Sequence, residues 1–129
     1  MYPSHTAEDH IRKMKHDCAL AQQLAQTDDF CDWTIISAFY FAIHCIEAYA
    51  HEHGKERELE AKMGSEESLH RIRERFVERH LKDYFTIYTR LYDKARQSRY
   101  DPTYFDKISQ VRGYHQRLLD AARKLENII

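Results

Sequence analysis

The residues best suited to chemistry in this sequence are its arginines and histidines. Arg75-Phe76-Val77-Glu78-Arg79-His80 sets a permanent cation a short distance ahead of an imidazole. An imidazole can accept a proton and a guanidinium can offset a developing negative charge, the two services that acid–base chemistry at a phosphate ester needs. Arg73 stands ahead of the same His80 at a second workable spacing. Spacing alone carries no weight, because 12 Arg and 9 His in 129 residues give roughly 2.5 such pairings by chance. The setting says more. Between Ser68 and Arg99 there are 9 basic and 4 acidic side chains, in a chain of formal net charge −1. Residues 1–53 are acidic and residues 54–129 basic. A basic strip of this kind suits phosphate or an acidic partner surface, and equally a solvated helix face.

A second group lies at the end of the strip. Arg96, Arg99 and Tyr100 precede Asp101-Pro102, and arginine forks beside an aromatic ring suit the phosphate of a nucleotide; pairing with carboxylates inside the fold is the alternative. His44 and Ser37 are polar residues on an otherwise apolar run. His44 is expected to be a hydrogen-bonded core histidine, paired with a tyrosine. No metal and no cofactor are expected. His51 and His53 point to different sides of a helix, and no Cys pair or H-E-x-x-H spacing joins them to Cys45 or His44.

These residues need helices to hold them. The chain has only 3 Gly and 2 Pro, with 43% hydrophobic and 32% charged residues, which favours long helices and short loops over a β fold. Its centre is Trp33–His53, a run without Gly, Pro, Lys or Arg. Such a helix is buried on most of its circumference. Ile35, Phe39, Ala42, Ile46 and Tyr49 form one face; Ser37, Tyr40, Phe41, His44, Ala48 and His51 form the other. Two such faces predict two things to pack against, the rest of a bundle and a second subunit.

Helices are expected at about 6–26, 30–53, 66–98 (with a break near 80–84) and 103–127, making one domain over 1–129. Ser4 or Thr6 should cap the first, Thr27-Asp28-Asp29 the second, and Ser65 or Ser68 the third. Gly54 should stop the second, and Pro102 the third. Gly113 falls inside the last, where it costs about 1 kcal/mol against Ala and suggests a close helix–helix approach. Residues 55–67 read as the mobile connector. The run 33–50 is nearly long enough to span a bilayer, but His44, Glu47 and the absence of flanking cations argue against a membrane helix. Cys18, Cys31 and Cys45, odd in number and unpaired in sequence, read as free thiols in a reducing cytoplasm.

Asp32-Trp33-Thr34-Ile35-Ile36-Ser37-Ala38-Phe39-Tyr40-Phe41-Ala42-Ile43-His44-Cys45-Ile46-Glu47-Ala48 resembles the second helix of HEPN domain proteins. The segment Leu91–Pro102 is similar to the Arg-containing, Tyr-Asp-ending close of that family's third helix region, and His70-Arg71 falls where many members carry a His-Arg or Ser-His. The resemblance implies an all-α, up-and-down bundle of four to five helices, commonly a homodimer. It also implies a nucleotide- or RNA-associated module working beside a partner such as a nucleotidyltransferase or antitoxin. Some members are metal-independent toxin or defence ribonucleases using an Arg-x(4–6)-His motif across the dimer cleft, and the resemblance implies Arg75 and His80, an Arg-x4-His, as the catalytic candidates here. Those nucleases place the motif nearer Arg96–Tyr100, where this chain has no His. A purely structural interaction protein is the third reading.

Overall fold

A computed structural model describes residues 5–60 and 68–129. Within them the protein is a helical bundle of six α-helices with no strand: α1 (Ala7–Leu24), α2 (Cys31–Glu52), α3 (Leu69–His80), α4 (Phe85–Tyr100), α5 (Tyr104–Ser109) and α6 (Tyr114–Arg123). Three 3-10 turns, Glu56–Leu59, Lys82–Tyr84 and Lys124–Ile128, complete the order.

α2 is the axle, in contact with α1, α4, α5 and α6. Its first apolar face meets α4 and α3. Phe39 packs on Tyr88 and Tyr92, and Tyr49 packs edge-on against Phe76. The second face is covered within the chain. Phe41 is fully buried, next to Ile11, Met14 and Cys18 of α1. The apolar seam expected to be free for a second subunit is therefore occupied by α1 and the chain end. Trp33 and Tyr40 are the large apolar side chains that α2 leaves exposed. α2 has the length and hydropathy to cross a bilayer, yet 72% of its most apolar stretch is buried inside the bundle.

The helix ends follow local chemistry. Thr6 caps α1 in a reciprocal box: its Oγ1 accepts from the Asp9 amide at 3.2 Å and Asp9 Oδ2 accepts from its amide at 2.9 Å. Ser4 lies outside the described residues. α2 departs from expectation. Phe30 is its N-cap and supplies no side-chain cap. Thr27 spends its hydroxyl on the Asp29 amide, while the Thr34 hydroxyl and Cys31 thiol donate back to the carbonyls of Phe30 and Asp28. At the other end Gly54 takes φ +66, and the amides of Gly54 and Lys55 close on the carbonyls of His51 and Ala50, a Schellman stop.

The connector is partly built into the core. Leu59 is 4% exposed, although it sits in the charged stretch 55–67 read as mobile; residues 61–67, with Gly64 and Ser65, lie outside the described residues. Ser68 caps α3 through the Arg71 amide at 3.3 Å. Where the apolar spacing slips, α3 ends at His80 and a 3-10 turn leads into α4.

The last helix is not continuous. Gly113 adopts φ +70 at the start of α6, and a turn separates α5 from α6. A Cβ there would meet only Arg117 Nη1 at 3.6 Å, so Gly113 marks a left-handed turn and not a close helix–helix approach.

Candidate functional site

Tyr92, Arg96, Arg99 and Tyr100 fall at positions four, three and one residue apart along α4, so one face of the helix carries all four. They line one shallow cleft. Arg99 donates to the Tyr40 hydroxyl at 3.3 Å and lies over the Tyr100 ring at 5.3 Å. Tyr92 is braced from behind: the His70 ring stacks on it at 3.2 Å between centroids and 4° between planes. His70 is itself fixed, with Nδ1 3.3 Å from the Tyr88 hydroxyl and Nε2 3.1 Å from Glu74.

Among the described residues neither Arg96 nor Arg99 has a carboxylate within ion-pair distance. The nearest candidate in sequence, Asp101, accepts from Thr103 at 2.9 and 2.8 Å and pairs with Lys107 at 3.6 Å. Among the described residues, internal pairing, one of the two readings open from the sequence, is not how these cations are used. Two arginines therefore face solvent beside two tyrosines, at the helix end where the backbone dipole tolerates positive charge.

Arg75 and His80 are arranged differently. Five positions apart on α3, they point about 140° apart around the helix axis. Arg75 is exposed. His80 is half-buried against Phe76, with Nε2 2.9 Å from Glu58, whose same oxygen accepts from Arg79 at 2.7 Å. Those contacts hold the Glu58 carboxyl below its usual range, the His80 bond first, and they tie the turn Glu56–Leu59 to the end of α3.

His44 pairs with a histidine and a carboxylate, and not with the tyrosine expected. Its Nδ1 is 3.0 Å from His10 Nδ1, and its Nε2 is 3.9 Å from Asp17 Oδ2. Ser37 is buried two turns earlier on the same helix. The His10 ring also lies 5.3 Å from that of His51, tilted by 31°, and His5 stands edge-on to His10 at 5.8 Å. Burial, then the neighbouring imidazoles, pushes His10 down to about 4. Burial lowers His44, with Asp17 opposing. Glu47, one turn from both His44 and His51, is raised by burial despite Arg73 Nε at 3.7 Å. Sequence reasoning missed His10 and Glu47 here. The signal for half of the cluster was present, since 44, 47 and 51 recur at helical spacing on one face; the approach of α1 was not readable from spacing.

Comparison of the chain with family models, with curated proteins and with solved structures yields no match.

Proposed function

We propose that the protein is a HEPN-like nucleotide- or RNA-associated module that holds phosphate in the Arg96–Arg99 cleft. The observation that carries this reading is the juxtaposition of two arginines, without carboxylate partners among the described residues, with the rings of Tyr92 and Tyr100. Guanidinium forks bind phosphate oxygens in pairs, and aromatic faces take up unstacked bases without demanding a sequence. Tyr100, 72% exposed, is open to a base. In this reading the protein works in the cytoplasm with a partner, such as a nucleotidyltransferase or antitoxin, or as a homodimer. The three buried free thiols are consistent with a reducing compartment.

The ribonuclease reading, with Arg75 and His80 catalytic, has less support. The two side chains diverge around α3, and His80 is engaged with Glu58. It makes a separate demand on experiment: structured RNA should be cut without metal, and His80→Ala should abolish the cut.

Binding of a fluorescein-labelled single-stranded RNA, followed by anisotropy across a salt series, tests the main reading. The double variant Arg96→Gln/Arg99→Gln should bind at least 10-fold more weakly. Loss of two phosphate contacts should also flatten the slope of log K against log salt by about 1.4. Equal affinity and slope in wild type and variant would remove the cleft from the binding surface.

A further inference from the structure

We infer that His10, Glu47 and His51 form a binding site for a divalent transition metal of the Zn(II) class. This assignment is independent of the phosphate cleft.

Their donor atoms all lie within 4.8 Å of one another. Two elements supply them. Glu47 and His51 share one stripe of α2, and α1 lays His10 across it, its first turn fixed by the Thr6–Asp9 capping box. All three are half-buried, so the site is walled yet reachable from solvent.

A second observation lies behind the first. Asp17 is almost fully buried, and its Oδ2 has no hydrogen-bond partner; it points toward His44 Nε2 at 3.9 Å. His44 in turn meets His10 Nδ1 at 3.0 Å. Metal-ligating histidines fix their tautomer and orientation through a hydrogen bond at the second ring nitrogen; for His10 that partner is His44, which faces the Asp17 carboxylate in turn. With Nδ1 of His10 committed to His44, Nε2 is the nitrogen left for a metal.

The donor set selects the ion. Ca(II) and Mg(II) need several oxygen ligands. Here there is one carboxylate, and Arg73 at 3.7 Å already offsets part of its charge. Affinity must come from the imidazoles, which suit Zn(II) and its neighbours. Three protein ligands leave a further coordination position to water. If no metal binds, the same residues are simply a stitch between α1 and α2, and the two roles are separable.

The test uses the full chain without a histidine tag. Zn(II) is titrated by calorimetry, and Co(II) by its visible absorption. The wild type should take up one equivalent, with the Co(II) band of a low-coordinate nitrogen–oxygen site. His10→Gln, Glu47→Gln and His51→Gln should each weaken Zn(II) binding by at least 10-fold, and His44→Gln by about 10- to 100-fold as a supporting residue. His53→Ala, on a ring that stacks at 4.1 Å on Tyr49, should leave affinity unchanged. Melting temperature is read for each variant, so that ligand loss at unchanged stability is told apart from unfolding. Absence of Zn(II) uptake at 100-fold metal excess overturns the assignment. So does one equivalent whose affinity ignores the His10 and His51 substitutions. Binding lost instead in Cys31→Ser would move the metal to the Asp28–Cys31–His115 cluster, where both His115 nitrogens lack hydrogen-bond partners, and would overturn it equally.

Discussion

Asp9 does two jobs with one carboxylate. It accepts from the Thr6 amide at one oxygen and pairs with Arg12 at 2.6 Å through the other, at the positive end of α1. The first of these contributes most to holding it down, to about 2 against an ordinary value of 3.8. A carboxyl lowered by folding contributes stability that is fully present above the unfolded value and is lost as pH falls through the folded one. Asp9→Asn should therefore lower the melting temperature at neutral pH and flatten its acid decline between about 4 and 2. Thermal melts across that window check it; parallel curves for the two proteins would mean that the cap does not form in solution. Single residues were unevenly legible in the sequence. Thr6 and Asp9 announced themselves because capping is local. Arg96, Arg99 and Tyr100 were legible as a group for the same reason. His10 was not, since its partners lie on another helix, and no spacing along one segment records where a neighbouring helix comes to rest.

Gly113 reverses sign between chain and fold. Read as a residue inside a continuous helix, its replacement by Ala would stabilise by about 1 kcal/mol. In the structure it stands at φ +70 between α5 and α6, where an added Cβ meets no clash but the backbone itself is unfavourable for an L residue. Gly113→Ala should thus destabilise by about 1–2 kcal/mol, and Gly113→Asn by less, because Asn visits the left-handed region more readily. Urea unfolding midpoints decide between the two signs. The amphipathic spacing of residues 103–127 held for Tyr104, Ile108, Leu118, Leu119, Ala122 and Leu125, which are buried, and failed at the turn, where Val111 is exposed and Tyr114 only half-buried. The error came from treating continuity of pattern as continuity of backbone. The slip near 80–84 shows the converse. There the pattern does break, and the chain turns from α3 through Lys82–Tyr84 into α4.

The molecule as a whole is arranged to wrap α2. That much was readable, because a run so apolar has to be surrounded. What surrounds it was not, because a buried face looks the same in sequence whether a neighbouring helix or a second subunit covers it. The cysteines give this arrangement a direct assay. Cys18, Cys31 and Cys45 are all buried, and burial raises each thiol, keeping it from the reactive thiolate form. Iodoacetamide at neutral pH should modify none of them quickly in the native protein and all three in denaturant, with Cys45 slowest under native conditions. Mass spectrometry of timed samples reads the order; prompt native labelling of Cys45 would contradict the wrapping of α2.

Trp33 is the chain's one tryptophan, and it stands on the outside of the axle, 56% exposed in the folded protein. An indole already bathed in water has little further to travel when the chain unfolds, so its emission maximum is a blunt gauge of folding. Its position makes it sensitive to something else. Two helical turns separate it from Tyr40 on the same side of α2, and Tyr40 accepts a hydrogen bond from Arg99 of the candidate cleft. The molecule thus has a built-in optical sentinel beside its candidate ligand surface. A blue shift or quenching on mixing would register a visitor at that face while the fold stays as it was.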